Sequence, residues 1–383
     1  MMKEQQNRFL RHAPLSGAEF HKRADIWGML RLDPALFTLL AIAISIGLIA
    51  LYSASGADAA MTLKQASSFF IGLIVLLVFA RIPPNTYAYI SPWFYGFGVL
   101  LLIGVALFGE VRMGAQRWLT IPGVTSVQPS EFLKLAMPMM TAWYLSQKAQ
   151  PMKLKDIAVC LMLILLPAGL VAEQPDLGTS ILVFASGFFV LFLAGLPWRL
   201  MGYMAGAFAA IAPFAWHFLH DYQRRRILTL FDPESDPLGN GWNIIQSKTA
   251  IGSGGLFGKG WMDGSQSHLH FLPEGHTDFI IAAYSEEFGY IGVLVLIGLY
   301  LAILVRAFQI ATQAQTAYAR LLAGAITLSF FVYVFVNAGM VSGILPVVGV
   351  PLPFISYGGT AIITLMSGFG VLMSIQAHRK LMG

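Results

Sequence analysis

The sequence predicts an all-α polytopic membrane protein of about ten transmembrane helices, with both termini in the cytoplasm and one long extracytoplasmic loop. Composition is the first reason, because 57% of the 383 residues are apolar and only 11% are charged. Soluble domains carry roughly 25% charged residues. The second reason is a series of separate apolar stretches of the length that crosses a bilayer, about 17–25 residues. An ordinary soluble globule is therefore excluded.

The predicted transmembrane helices lie at residues 34–54, 66–80, 89–109, 129–146, 156–172, 178–195, 199–219, 278–305, 321–342 and 357–376. The fourth and eighth stretches contain charged residues, so hydropathy alone ranks them lowest. We predict a single transmembrane domain over residues 34–376, between a cytoplasmic tail at 1–33 and a second cytoplasmic tail at 377–383.

The distribution of Lys and Arg predicts the orientation of these helices. If the amino terminus is cytoplasmic, the inside segments hold 15 of the 24 Lys and Arg residues and the outside segments hold 8. Five of those 8 lie in the loop 220–277, which is long enough to be largely exempt from the positive-inside rule. The short loops therefore favour cytoplasmic termini.

Two of the outside segments are unusual: a polar link at 110–128 and the long loop at 220–277. A loop of this length is usually either functional or disordered. Trp242 and Trp261 argue against disorder, because such side chains favour the membrane interface or the protein. We predict a folded extracytoplasmic lid.

Several cofactors are not expected from this composition. The single cysteine, Cys160, excludes a multi-cysteine zinc site, and the histidines show no spacing typical of metal ligands. The glycine-rich GSGGLFGKGW has Ser253 and Gly260 where a phosphate-binding Walker loop needs Gly and Ser or Thr. We expect no zinc, haem or nucleotide cofactor and no nucleic-acid partner.

Charged residues inside predicted spans are the candidate functional residues, because each costs roughly 2.5–3.5 kcal/mol at the bilayer centre and usually faces a polar cavity. Glu131 and Lys134 are three residues apart and share a helix face. Asp176 follows a proline at a helix start, and Asp278 opens the eighth span. The alternatives are a structural ion pair for Glu131 and Lys134 and a helix cap for Asp176.

Glu286 and Glu287 lie two turns deeper in the eighth span. On a continuous helix Glu286 would lie about 80° from Asp278 and Glu287 about 180°. A polar network inside the bundle is the favoured interpretation for this pair.

Arg117 and the run Arg224–Arg226 have two possible roles. Basic residues at a membrane interface commonly contact anionic lipid head groups. They are also candidates to bind a substrate phosphate.

Seven strings then occur in a characteristic order: YSASG (52–56), GAQRWL (114–119), QPSEFLKL (128–135), EQPDLGTS (173–180), GKGW (258–261), FLPEGHTDFI (271–280) and GILPVVGVPLPFISYGG (343–359). Across residues 33–380 the chain resembles the SEDS family of shape, elongation, division and sporulation proteins. GAQRWL and the uninterrupted LPVVGVPLPFISYGG resemble its elongation branch rather than its division branch.

The resemblance implies a peptidoglycan glycosyltransferase for cell elongation and rod shape, in the bacterial inner membrane with its active site on the periplasmic side. Such an enzyme polymerises lipid II into glycan strands and releases undecaprenyl diphosphate. The implied partners are a class B penicillin-binding transpeptidase, the elongation machinery and membrane lipid. The family's required aspartate corresponds to Asp278, and its polar-cavity positions correspond to Glu131, Lys134 and Asp176.

The chemistry fits these residues. A carboxylate such as Asp278 would take the proton of the acceptor hydroxyl, and cations such as Lys134 or Arg117 would stabilise the leaving diphosphate. Alternatively, Mg²⁺ or Mn²⁺ would bridge the diphosphate to Asp176 or Glu131. The remaining groove candidates, taken from the last two strings, are Glu274, His276, Thr277, Ser356 and Tyr357.

Two other functions compete with this one. A lipid II flippase would use a similar cavity but needs a charged path to the cytoplasmic side, whereas most intramembrane charges here lie towards the outside. A non-catalytic scaffold for the transpeptidase would not need Asp278.

Overall fold

The structure is a computed structural model, and it describes residues 26–112, 115–120, 126–149, 151–219, 221–236, 239–268, 271 and 274–379. Most of the predicted amino-terminal tail (1–25) and the end of the carboxyl-terminal tail (380–383) lie outside the described residues. Parts of the predicted polar link and of the long loop also lie outside them.

The described chain is built almost entirely of helices. In chain order these are α1 Ile26–Leu30, α2 Pro34–Ala54, α3 Ala59–Arg81, α4 Pro84–Phe108, α5 Pro129–Ser146, α6 Leu154–Glu173, α7 Leu177–Leu193, α8 Trp198–Phe218, α9 Asp221–Phe231, α10 Asn240–Ser253, α11 Ser265–His268, α12 Ile280–Thr312, α13 Ala317–Val341 and α14 Gly359–Ala377.

A helix coincides with most of each of the ten predicted spans. Seven of them are long and apolar enough to cross a membrane by length and composition, namely α2, α3, α4, α6, α12, α13 and α14. The apolar helix α7 is shorter, at 17 residues. The protein is therefore an all-α, multi-pass membrane protein, as predicted. The count of ten crossings and their orientation stay predictions.

Helix starts follow local capping chemistry. The Asp33 carboxylate accepts a hydrogen bond from the Leu36 N–H at 2.8 Å, and Pro34 occupies the first turn of α2. Asp58 caps α3 in the same way, accepting from the N–H groups of Ala60 and Met61. This cap makes α3 begin well before the predicted start at residue 66.

Polar contacts at both ends hold α2 antiparallel to α12. At one end Arg306 donates to both carboxylate oxygens of Asp33, with Arg306 Nε 3.0 Å from Oδ1. At the other end the Ser53 hydroxyl donates to the buried Glu287 carboxylate. Burial raises the pKa of Asp33, but hydrogen bonds from Arg306 and from Leu36 outweigh it and hold that pKa below its ordinary value.

The polar link folds into a small antiparallel sheet, which the sequence analysis did not predict. Its strands are β1 Glu110–Arg112, β2 Ala115–Thr120 and β3 Ser126–Val127. Glu110 pairs with Trp118, and Leu119 pairs with Val127. The sheet thereby carries Arg117 on its central strand.

The long loop is folded in its described part, as predicted. It contains α9, a 3-10 turn at Pro233–Ser235, α10 and α11. The Ser247 hydroxyl on α10 donates to the Val341 carbonyl of α13 at 2.9 Å. Helix α10 therefore packs onto the membrane bundle.

One prediction about the eighth span is wrong. Asp278 does not lie on a continuous helix with Glu286 and Glu287, because it lies in a turn and α12 begins only at Ile280. The predicted angles of 80° and 180° around one helix therefore do not apply. Both glutamates are buried within the protein, in agreement with the predicted polar network.

We expect Arg306→Ala to lower the free energy of unfolding by about 1.5–3 kcal/mol, the range for hydrogen bonds to a charged group. The Asp33 carboxylate would then be buried without its guanidinium partner. Because the folded pKa of Asp33 is depressed, this contribution is present above the unfolded pKa, about 3.9, and is lost as the pH falls through the folded pKa.

Thermal unfolding in detergent at pH 7 measures the effect. Arg320→Ala, which removes an exposed arginine from α13, is the matched control. Equal losses in the two variants would contradict a specific role for the Arg306–Asp33 pair.

Candidate functional site

A polar cavity of about 460 Å³ lies between the membrane bundle and the folded loop. Residues from distant parts of the chain line it. Its lining includes Arg117, Gln128, Glu131, Lys134, Asp176, Thr179, Arg226, Asn243, Glu274, Thr277, Asp278, Gly349, Tyr357 and Thr360. The cavity brings together Asp278 and all four residues that the sequence analysis assigned to its support.

Glu131 and Lys134 on α5 line the cavity. Lys134 Nζ lies 2.5 Å from Glu131 Oε1 and 5.2 Å from the centre of the Tyr333 ring on α13. Both side chains are largely buried. The pair therefore exists as the sequence predicts, and both residues line the cavity.

Asp176 caps α7, and a helix cap is one of the two roles that the sequence predicts for it. Its Oδ1 accepts from the Thr179 N–H at 3.1 Å. Its Oδ2 accepts from Gln128 Nε2 at 3.3 Å and lies 3.7 Å from Arg117 Nε. The same carboxylate thus caps a helix and lines the cavity.

Arg117 is held by the turn between α6 and α7. Its Nε donates to the Gln174 carbonyl at 3.3 Å, and its Nη2 donates to the Pro175 carbonyl. These two carbonyls follow the end of α6, where a basic side chain is favourable. Arg117 therefore places positive charge at the cavity wall while it fixes the turn that carries Asp176.

Asp278 lies in the turn that precedes α12. Its carbonyl accepts from Asn337 Nδ2 at 2.9 Å, and the same amide nitrogen donates to the Val350 carbonyl at 2.8 Å. A β-carbon placed on Gly349 would lie only 3.4 Å from Asp278 Oδ2. The backbone of Asp278 is thus held by Asn337, and its carboxylate lies close to Gly349.

Burial raises the pKa of Asp278 to about 6. The neighbouring carboxylate of Glu274 contributes to this rise, and Arg226 opposes it; the pKa of about 6 is the net result of all three effects. Removal from water disfavours the charged form of a carboxyl group. A carboxyl group with a pKa near the working pH is well suited to accept a proton from a substrate.

Two cavity residues on the folded loop were not singled out from the sequence. The sequence contains three adjacent arginines, Arg224–Arg226, and gives no indication of which one binds a ligand. In the structure Arg224 donates to the carbonyls of Trp216 and His217, whereas Arg226 lines the cavity. Asn243 on α10 also lines it, and its Oδ1 is buried without a hydrogen-bond partner among the described residues. No sequence signal identifies Asn243.

The other predicted groove residues divide into two groups. Glu274, Thr277 and Tyr357 line the cavity. Ser356 is 3% exposed and does not line it: its hydroxyl donates to the Thr277 carbonyl at 2.6 Å and accepts from the Leu352 N–H. His276 contacts the Tyr357 ring edge-on and accepts the Tyr357 N–H through its carbonyl. Both residues therefore contact residues that line the cavity but do not line it themselves.

The predicted metal ligands are only two carboxylates. Among the described residues no three His, Cys, Asp or Glu side chains converge on one point. Both oxygens of Asp176 have partners, whereas Glu131 Oε2 is buried with none among the described residues. The residues present thus offer at most a partial cation site, which a phosphate ligand would have to complete.

Comparisons with known proteins agree with this geometry. Residues 34–381 match the FtsW, RodA and SpoVE family of cell cycle proteins. The chain is 52% identical to the peptidoglycan glycosyltransferase MrdB of Escherichia coli K12, over 94% of this chain and 97% of the relative. It is 31% identical to the peptidoglycan glycosyltransferase RodA of Treponema pallidum, over 90% of this chain and 97% of that one.

Solved structures show the same architecture. A chain from a peptidoglycan synthase complex that coordinates polymerization and crosslinking superimposes with a TM-score of 0.80 at 30% identity, covering 91% of this chain and 99% of that chain. The rod shape determining protein RodA of Thermus thermophilus superimposes with a TM-score of 0.69 at 28% identity, covering 91% and 97% of the two chains. The chain therefore belongs to the FtsW, RodA and SpoVE family, which is the SEDS family that its motifs resemble.

Proposed function

We infer that this protein is a peptidoglycan glycosyltransferase of the rod-shape branch of its family. The observation that carries this conclusion is the cavity itself, which is lined by the partly buried Asp278 together with three cationic residues, Arg117, Lys134 and Arg226. The relatives named as peptidoglycan glycosyltransferases match over nearly the whole chain.

We propose lipid II as the substrate and Asp278 as the general base. The Asp278 carboxylate takes the proton from the 4-hydroxyl of the acceptor sugar as that oxygen attacks the anomeric carbon of the donor. The new glycosidic bond forms while the bond from that carbon to the diphosphate breaks, and undecaprenyl diphosphate leaves with the bonding electron pair. A diphosphate is already a good leaving group, so a second carboxylic acid is not required, in contrast to glycoside hydrolysis.

Positive charge in the cavity supports departure of the diphosphate. Arg117 and Lys134 each have a carboxylate close by, Asp176 and Glu131 respectively. Arg226 reaches the cavity from α9, beside the Tyr222 ring at 5.7 Å. Preorganised cations in a water-poor site stabilise developing charge strongly, and Arg226 is the one on the folded loop.

The contacts of the deeper acidic residues favour this enzyme over a flippase. A transport path would need charged groups that continue from the cavity towards the other end of the bundle. Glu286 instead pairs with Lys259, and Glu287 accepts from Ser53, and neither lines the cavity. A pure scaffold would not need the carboxyl group of Asp278 in this cavity.

The remaining parts of the proposal concern location and partners. We propose the bacterial inner membrane, with the cavity on the periplasmic side, because the Lys and Arg distribution in the short loops favours cytoplasmic termini and therefore an extracytoplasmic loop 220–277. A class B penicillin-binding transpeptidase is the proposed partner, in line with the synthase complex to which the fold is similar. Membrane lipid and the elongation machinery complete the proposed surroundings.

We expect Asp278→Asn to reduce polymer formation by at least about 100-fold, because general-base catalysis contributes about 10²–10⁴-fold. The assay uses purified protein with its transpeptidase partner, labelled lipid II and separation of glycan products on a gel. Asp232→Asn, an exposed aspartate of the same loop, is the matched control and should keep wild-type activity. Wild-type turnover by folded Asp278→Asn would refute the assignment.

The pH profile provides a second prediction. A base with a pKa of about 6 is protonated at lower pH, so kcat/KM should fall as the pH drops below about 6. Glu274→Gln removes a negative charge that raises this pKa, and the acid limb should move to lower pH. Arg226→Gln removes an opposing positive charge, and the limb should move to higher pH. Shifts of both variants in one direction would contradict Asp278 as the titrating group.

A divalent cation is a further proposal for the cavity. Mg²⁺ is typically bound through one or two carboxylates together with substrate phosphates, and Glu131 Oε2 is a buried oxygen without a partner among the described residues. We expect a chelator to lower the polymerisation rate and Mg²⁺ or Mn²⁺ to restore it, and Glu131→Gln to weaken that response. An undiminished rate in excess chelator would assign charge stabilisation to the cationic side chains alone.

A further inference from the structure

Helix α12 is broken near its start, and a segment of the folded loop occupies the break. Gly289 has φ +64° and ψ −168°, which ends the regular helix after two turns. In an unbroken helix the Tyr290 N–H would donate to the Glu286 carbonyl. Here the Glu286 carbonyl accepts from the Lys259 N–H at 3.0 Å, and the Tyr290 N–H donates to the Gly255 carbonyl at 2.9 Å.

The Glu287 carbonyl and the Ile291 N–H, which would bond to each other in an unbroken helix, also have partners in the loop segment. The Glu287 carbonyl accepts from the Gly260 N–H at 3.0 Å, and the Ile291 N–H donates to the Leu256 carbonyl at 3.2 Å. All four groups opened by the break are thus satisfied by residues 255–260. Inside a membrane protein such non-helical backbone is tolerated only where it is buried in protein or lines a cavity. We call residues 254–266 the inserted segment.

Glycines make this close approach possible. A β-carbon at Gly258 would lie 2.0 Å from the Glu287 carbonyl oxygen, and one at Gly289 would lie 2.2 Å from the Gly258 nitrogen. Both residues also have positive φ, +81° and +64°, which favours glycine. The structure therefore explains why the first residue of the GKG string, Gly258, is a glycine.

An ion pair between the partly exposed Lys259 and the buried Glu286 reinforces the backbone exchange. The fully buried Glu286 carboxylate accepts from Lys259 Nζ at 2.6 Å, from the Ser265 hydroxyl at 2.9 Å and from the Gln266 N–H at 3.0 Å. All three donors belong to the inserted segment. A buried carboxylate needs such partners, because its desolvation is costly.

The break makes residues 280–288 a separate half-helix that begins two residues after Asp278. At its start the Thr277 carbonyl is held by the Ser356 hydroxyl at 2.6 Å and the Asp278 carbonyl by Asn337 at 2.9 Å. At its other end the inserted segment supplies the backbone hydrogen bonds that the next turn of a continuous helix would have made. The direction of this half-helix, and with it the placement of Asp278, therefore depends on contacts at both ends.

We propose that Lys259 and Glu286 are positioning residues: by locking the inserted segment to the half-helix they hold Asp278 in its reactive place in the cavity. This inference rests on the proposed function, in which Asp278 is the base. Neither residue lines the cavity, so they act on the reaction through Asp278 and not through the substrate. A displacement of about 1 Å at a reacting group costs about 100-fold in rate.

The test compares Lys259→Met with Lys259→Arg, which keeps the positive charge, in the complex with the transpeptidase. Lys248→Met, at an exposed lysine of α10, is the matched control. We expect Lys259→Met to lower kcat by about ten- to a hundredfold, with little change in the KM for labelled lipid II. The acid limb of its pH profile should also move, since the surroundings of Asp278 change. Lys259→Arg should recover most of the rate.

A purely structural role predicts a different result, namely less folded protein but wild-type kcat and pH profile per folded molecule. That result would overturn the inference, and so would equal kcat losses in Lys259→Met and Lys248→Met. If Lys259→Met does not yield folded protein, Glu286→Gln provides the same comparison with an isosteric side chain.

The wild type and Asp278→Asn distinguish failure of the inference from failure of the proposed function. Polymer from the wild type, none from Asp278→Asn and wild-type kinetics for Lys259→Met would overturn the positioning role alone. No polymer from the wild-type complex would overturn both.

Discussion

The absence of water from the bilayer interior is the constraint on which the rest of this structure depends. Every backbone group and every charge placed there must find its partner inside the protein. The break in α12 illustrates this most clearly, because four backbone groups that a continuous helix would satisfy bond instead to residues 255–260. The loop and the bundle are consequently one folded unit, and contacts of the loop can affect the position of Asp278.

The same constraint concentrates the chemistry at one place. Glu131 with Lys134, and Asp176 with Arg117, are close pairs in which each charge reduces the cost of burying the other. Because these pairs line one cavity, their charges remain available to a ligand with phosphate groups. Burial and the nearby Glu274 carboxylate together raise the pKa of Asp278 to about 6 against the opposing effect of Arg226, in line with its proposed role as the general base.

Much of the fold follows from sequence patterns of short range. The predicted stretch 34–54 coincides with Pro34–Ala54, because an apolar run of crossing length lies directly after a capping aspartate and a proline. The prediction for α3 began too late because it followed hydropathy alone, whereas the cap at Asp58 extends the helix into polar sequence. The small sheet at 110–127 was not predicted, because strands of two to six residues have almost no periodicity to detect.

The sequence alone was sufficient to identify which ionisable residues stand within or beside apolar stretches, since the cost of burying a charge singles them out. It could not assign their partners. Packing decided that Arg226, and not its neighbour Arg224, lines the cavity, and that Lys259 reaches Glu286 across 27 positions of the chain. Contacts between residues so far apart depend on how helices and loops are arranged in space, and that arrangement leaves no local pattern in the chain.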